Sequence, residues 1–395
     1  MIIRKHYIDQ IRPFFDSDLI KVITGIRRCG KSVILSQIAD ECRAAGRQVL
    51  FVNCESLEYS ALIPDAAALS NYVKGRIPER DKLYVFLDEV QLVKDWNLAC
   101  RSLRLENVSL FITGSNSRLL SREFTKELSG RYVSFCVRPF VYKEILEYAR
   151  QLGKDWPIRD YLLYGGFPKL IEFQDKDAVT QYLNDLNQTI IINDIMNRYR
   201  IRKTELFKRL VNYVLISNAR IFSANSVRNF LASQKLSCSL NTIMNYLAYL
   251  EEAYVIRKVP QYSTKARREL AFFAKIYDED VSFNTIRQPR GRFDLTHNLE
   301  NIAYNELVYM GYEVSVYVSG GREIDFLAVK DGKEYLVQVA YSIAEEGTYE
   351  REFALFNALD QSRKKIIITN DEVDYSTSTV EHIPLSRFLA MSSLD

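Results

Sequence analysis

At 395 residues the chain exceeds what one hydrophobic core organises, and its 47% apolar and 26% charged residues are ordinary globular usage, so two or three folded domains are expected and long disordered tracts are excluded. A formal charge of +3 is too near neutral to mark a nucleic-acid binder, so any such reading must rest on a local patch. The 6 cysteines form no CxxC pair and there are only 3 histidines, which argues against zinc; no stretch approaches a membrane span, and the expectation is a cytoplasmic protein with reduced thiols and no membrane contact.

From Leu19 to about Phe140 short apolar runs alternate with helical stretches. Ile20 to Thr24, Val49 to Asn53, Tyr84 to Leu87 and Leu110 to Thr113 read as strands of a parallel sheet covered on both faces by helices, an α/β nucleotide-binding core over residues 1–140. The first run leads into Gly25, Ile26, Arg27, Arg28, Cys29, Gly30, Lys31 and Ser32, which satisfy GxxxxGK[ST] without mismatch, and an apolar helix follows from Val33. The two glycines permit a backbone whose N–H groups turn inward on phosphate oxygens, and the helix N-terminus adds partial positive charge. Lys31 is then expected to reach the β- and γ-phosphates of ATP, and Ser32 to ligate Mg²⁺.

The strand beginning at Leu83 ends in Asp88 and Glu89. Acidic residues often end strands at a solvated edge, but beside a P-loop the expected roles are Asp88 on the magnesium and Glu89 orienting and deprotonating the attacking water. Phe111-Ile-Thr113-Gly-Ser115-Asn116 is either a γ-phosphate sensor, with Ser115 at the site, or a plain strand-to-turn transition. Arg131 either supplies transition-state charge, in cis or to a neighbouring subunit, or is a surface arginine.

Residues 141–204 turn helical, broken by Tyr164-Gly165-Gly166-Phe167-Pro168, and fit a helical lid or linker. Residues 205–292 read as helices at Glu205 to Ser217, Ser223 to Ala232 and Ser239 to Ala253, then strands at Tyr254 to Val259 and Glu269 to Tyr277, the order of a winged helix-turn-helix. Its third helix sets Asn241, Thr242 and Asn245 against an apolar face of Ile243, Leu247 and Leu250. Arg257, Lys258, Lys265, Arg267 and Arg268 follow, so residues 239–268 are the expected DNA contact; the alternative is a helical packing domain with solvated charges. Residues 293–395 follow an α-β-β-β-α-β order.

Six words, Gly25 to Ser32, Leu87-Asp-Glu-Val-Gln91, Ile112-Thr-Gly-Ser-Asn-Ser-Arg-Leu-Leu120, Leu128-Ser-Gly-Arg131, Tyr164-Gly-Gly-Phe-Pro168 and Arg322-Glu-Ile-Asp325-Phe, stand in this order. Together they resemble the prokaryotic AAA-type ATPases that carry a C-terminal domain of unknown function related to the restriction-endonuclease-like fold. The resemblance implies an AAA-type core, a winged-helix middle and a nuclease-like end, and no substrate. Such nucleases use a strand carboxylate, then an acid and a lysine two residues apart on the next strand. Glu300 or Glu306 is available as a helix acid and Asp325 as the strand acid, but Gln338 stands in place of the second acid and Ala340 in place of the lysine, so the domain is expected to be inactive; Lys330 or Lys333 are remote substitutes. The expected activity is Mg²⁺-dependent ATP hydrolysis coupled to DNA, the rivals being an ATP-gated protein-interaction switch and an ATP-regulated nuclease. A protein partner and the oligomeric state stay open.

Overall fold

The structure, a computed structural model, describes residues 1–114, 128, 130–262, 274–289, 293–319, 322–357 and 362–395. Two compact units divide the chain, Met1–Pro139 and Phe140–Asp395. No helix among the described residues is long and apolar enough to cross a membrane.

The first unit is a three-layer α/β domain. Its strands are β1 (Ile20–Thr24), β2 (Gln48–Asn53), β3 (Leu83–Asp88), β4 (Val108–Thr113) and β5 (Tyr132–Cys136), all parallel, in the order β2-β3-β4-β1-β5. Every residue of β1, β3 and β4 is buried, which is why these strands read as unbroken apolar runs: helices cover both faces. The rings of Phe86 and Phe111 stack at 4.5 Å between centroids on adjacent central strands. The apolar runs do not announce β5. It lies at the sheet edge, with Tyr132 and Val133 half-buried, Ser134 and Cys136 exposed and Phe135 buried, and pairs with β1 from Ile20 opposite Tyr132 to Thr24 opposite Cys136.

In the second unit a helix at Lys176–Asn187 continues into a wide π-helical stretch, Gln188–Met196. Then come a helix at Thr204–Ile216, β6 (Arg220–Ile221), helices at Ala224–Ser233 and Leu240–Glu252, β7 (Ile256–Pro260) and β8 (Ala274–Asp278), the strands forming an antiparallel sheet ordered β6-β8-β7. The Gly165-Gly166 break has a steric cause. Gly165 sits at φ +71 with the Asp280 carboxylate 1.9 Å from where a Cβ would be, and Gly166 donates its N–H to Asp280 Oδ2 at 2.7 Å.

A long helix, Leu295–Tyr309, leads to a second five-stranded sheet: β9 (Glu313–Ser319), β10 (Arg322–Lys330), β11 (Lys333–Val339), β12 (Lys364–Thr369) and β13 (Val380–Pro384), in the order β13-β12-β11-β10-β9. Strands β9 to β11 are an antiparallel meander; β11, β12 and β13 run parallel, with the helix Glu346–Asn357 in the connection from β11 to β12. The last strand, β13, extends the α-β-β-β-α-β order read from the sequence by one.

Candidate nucleotide site

The phosphate loop is built at the carboxyl end of β1. Gly25 has φ +137, and a Cβ there would lie 2.0 Å from the carbonyl oxygen of Val137, a backbone wall that admits only glycine. Val137 in turn donates its N–H to Thr24 O at 2.8 Å, and Cys29 Sγ lies 3.3 Å from Val137 O, so the segment after β5 forms the back of the loop. Gly30, at φ +99, opens the helix Lys31–Ala44, and no side chain caps that helix. Its first-turn N–H groups and the macrodipole therefore make the loop a place for an anion. The buried Lys31 side chain folds back over the loop, donating to Gly25 O at 3.1 Å and Ile26 O at 2.9 Å. Arg28 is exposed, with left-handed backbone at φ +69.

Beside the loop stands a chain of oxygen donors. Asp88, the last residue of β3, is buried; its Oδ1 accepts from Ser32 Oγ at 3.0 Å and from the hydroxyl of Thr113, the last residue of β4. Burial pushes the Asp88 carboxyl above the usual carboxylate range, and the Thr113 and Ser32 hydroxyls oppose that shift. Thr113 Oγ1 also accepts from the Glu89 backbone N–H at 3.0 Å. Glu89 is in the left-handed region at φ +52, and its carboxylate accepts from Gln91 Nε2. Parallel pairing is what assembles these parts, because β1, β3 and β4 all end at one edge of the sheet.

Arg131 is not brought to this edge within the chain. Its carbonyl accepts from Ile20 N at 3.0 Å, at the start of β1, so it stands roughly 15 Å of strand away from the loop. Ser115 lies outside the described residues. Thr113 belongs to the segment read as a sensor or a strand-to-turn transition, with Ser115 as its named residue; Arg4, whose buried guanidinium reaches Cys29 O, carried no sequence motif.

In the second unit Ser239 caps the helix Leu240–Glu252 through the Thr242 N–H at 3.1 Å, Asn241 and Asn245 are exposed, and Ile243, Leu247 and Leu250 are buried. The expected basic cluster is weaker than its residue count suggests. Arg257 pairs with Glu279 at 2.7 Å and Lys258 with Glu251 at 2.7 Å, while Lys265, Arg267 and Arg268 fall outside the described residues.

Glu300 and Asp325, the acids expected from the resemblance, are held by a cation that sequence spacing does not reveal. Lys275, on β8, places its Nζ 2.9 Å from Glu300 Oε1, 2.9 Å from Asp325 Oδ1 and 2.6 Å from Glu323 Oε1. Burial alone would push this ammonium down, but Asp325, Glu300 and Glu323 more than offset it and hold it above its ordinary range. Gln338 accepts from Asp325 N at 3.2 Å and donates to Glu352 Oε2 at 3.0 Å. Of the two helix acids only Glu300 joins the cluster; Glu306 accepts instead from Tyr142 N at 3.2 Å. Lys330 and Lys333 do not substitute, since they bond to Met310 O and to Asp395. Among the described residues no group of three His, Cys, Asp or Glu side chains is arranged to hold a metal ion.

Comparison with known proteins agrees with the first unit. Residues 17–146 match a family described as an AAA domain, and residues 156–285 match one described as a domain of unknown function, DUF8612. The Walker-type ATPase of Pyrococcus abyssi is a solved structure with 17% identity and a TM-score of 0.48, covering 72% of this chain and 95% of that one. An uncharacterized protein of Methanocaldococcus jannaschii is 29% identical across 92% of this chain and 87% of its own. A Haemophilus influenzae protein, also described as uncharacterized, is 33% identical over 379 residues, 93% of each chain. At that identity and coverage the chain belongs to the same family as the Haemophilus influenzae protein, with an AAA-type P-loop ATPase domain at residues 17–146.

Proposed function

We propose that the protein is a Mg²⁺-dependent ATP hydrolase whose nucleotide state is coupled to DNA contact through residues 239–268. The observation that carries the ATPase reading is the linked set Ser32, Asp88, Thr113 and Glu89 beside a loop that only glycine can line. The donor set fits the ion: a serine hydroxyl and a buried carboxylate 3.0 Å apart are hard oxygen ligands of the kind magnesium takes, next to an uncapped helix start suited to phosphate. Ser32 and Asp88 would hold Mg²⁺, which when bound supplies charge neutralisation across the β- and γ-phosphates. Lys31 would exchange its two loop carbonyls for phosphate oxygens, and the N–H groups from Gly25 to Val33 would cradle them. Glu89, with its backbone fixed through Thr113, would orient and deprotonate the attacking water. Arg131 would serve only a nucleotide on a neighbouring subunit.

For residues 205–292 the helix, strand, helix, helix, strand, strand order and the β6-β8-β7 sheet support a winged helix, with Asn241 and Asn245 on the face offered to DNA. Residues 141–204 would be the lid or linker, and residues 293–395 a nuclease-like domain without nuclease chemistry, a reading supported by Gln338, Ala340 and the Lys275 ammonium among its carboxylates. The rival, a protein-interaction switch, is favoured by one observation: the charges of Arg257 and Lys258 are already matched by Glu279 and Glu251. Steady-state ATP hydrolysis by wild type, Lys31→Ala and Glu89→Gln, with and without duplex DNA at two salt concentrations, tests both parts. Turnover lost in both variants and raised by DNA in a salt-sensitive way supports the proposal. Turnover indifferent to DNA transfers it to the protein switch, and wild type without turnover refutes the hydrolase.

A further inference from the structure

Arg4 lies outside the segment that matches the AAA family, in the strap ahead of the helix Lys5–Ile11, yet it is only 2% exposed. Its Nη1 donates to Cys29 O at 2.9 Å and to Arg138 O at 3.0 Å. The guanidinium also lies 4.6 Å from the centroid of the Tyr7 ring, and the Tyr7 hydroxyl accepts from Arg138 N at 3.1 Å. On the other side, Arg4 N donates to Gln37 Oε1 at 3.2 Å, and Gln37 Nε2 donates to Ile2 O at 2.6 Å. One short strap thus ties together the phosphate loop, the segment after β5 and the helix that follows the loop.

The bond to Cys29 has a stereochemical consequence. The peptide between Cys29 and Gly30 is planar and trans, so its N–H points opposite to its C=O. With the carbonyl drawn to Arg4, the Gly30 N–H is turned away from the strap. Gly30, at φ +99, has no Cβ to resist other rotations of that peptide, so an outside anchor is what selects one of them. A charged donor bridging two carbonyls, buried and backed by an aromatic ring, is a stiff anchor.

We propose that Arg4 is a positioning residue of the nucleotide site: it fixes the Cys29–Gly30 peptide so that the Gly30 N–H is offered to the phosphates. This rests on the ATP-binding reading above. The test is calorimetric titration of ADP and ATP, with Mg²⁺, into wild type, Arg4→Met, Arg4→Lys and Lys31→Ala, alongside thermal melting of the nucleotide-free proteins. Arg4→Met is expected to weaken both nucleotides by about 10- to 100-fold, the scale of one charged hydrogen bond, with a cooperative melt retained, and Arg4→Lys to recover most of that loss. A purely structural role would lower the melting temperature and leave the folded protein's affinity within twofold of wild type, which overturns the proposal if Lys31→Ala has lost binding. Should Lys31→Ala also bind like wild type, the nucleotide-site reading fails and the proposal with it. If Arg4→Met does not fold, Arg4→Gln takes its place under the same criterion.

Discussion

Replacing Lys275 by methionine removes a cation that three carboxylates share, while keeping most of the side-chain volume. Each 2.9 Å contact represents about 6 kcal/mol of gross attraction at an effective dielectric of 20. Most of that is offset by the cost of burying the charges, and removal of one partner from a buried pair is expected to cost ~3–5 kcal/mol net. That is a large share of the ~5–15 kcal/mol that holds a domain folded. The chain has 2 tryptophans, Trp96 in the first unit and Trp156 in the second, so Trp96→Phe leaves Trp156 fluorescence as a reporter of the unit that holds the cluster. Urea titrations on that background at about pH 9 and about pH 7 measure the loss. The lower pH should return part of it: burial and the neighbouring Asp325 push the Glu300 carboxyl up to about 8, and without the ammonium it rises further, so over that range the variant takes up its proton first. A carboxyl raised in the folded state stabilises that state as pH falls toward its unfolded value. A loss below about 1 kcal/mol, or one no smaller at about pH 7 than at about pH 9, would refute the reasoning, since the cluster would then not depend on the charge of Lys275.

Glu306 is fully buried and pushed up to about 8 by burial, from 4.5. Its stabilising contribution is therefore present below about pH 4.5 and lost as pH rises through about 8; Glu306→Gln, neutral throughout, should flatten that decline in urea titrations at Trp156, and an unchanged slope counts against the shift. Gly25→Ala, with its Cβ 2.0 Å from Val137 O at φ +137, should strain the backbone by ~1–3 kcal/mol and abolish calorimetric ATP binding; retained binding would mean that the loop relaxes freely. Thr113→Val deletes the hydroxyl between Asp88 and the Glu89 N–H, and should lower kcat by about 10- to 100-fold with ATP affinity nearly unchanged; an equal loss in affinity would show that Thr113 supports the loop instead.

What the sequence made legible was what is local. The phosphate loop and the Asp88-Glu89 pair stand in contiguous words because strand, turn and helix follow one another there, and the central strands are continuous apolar runs because they are buried on both faces. The edge strand β5 lacks that burial and so lacked the signal. Arg4 and Lys275 were illegible for a different reason: their partners, Cys29 and Arg138 in one case, Glu300 and Asp325 in the other, lie far along the chain, and nothing beside either residue announces the pairing. Counting charges was also silent on pairing at Arg257 and Lys258, since a run of basic residues says nothing about the acids that the fold sets against them.

Choosing between Glu300 and Glu306 shows the same limit on a single helix. Both are buried on Leu295–Tyr309, a helix buried on most of its faces, so burial alone does not separate them. Six residues advance a helix by about 600°, which turns the two side chains to different faces, and only the neighbours decide which one faces β8 and β10. The cluster that results joins three elements: Lys275 on β8 of the small sheet, Glu300 on the long helix, and Asp325 on β10 of the large sheet, the last two bridged through the ammonium. Lys275 and Tyr277, both on β8, donate to Glu300, and Lys275 donates also to Asp325, which attaches the small sheet to the helix and to β10. Position 338 carries glutamine and position 340 alanine, the cation arrives from another strand, and Glu300 and Asp325 anchor β8 through it.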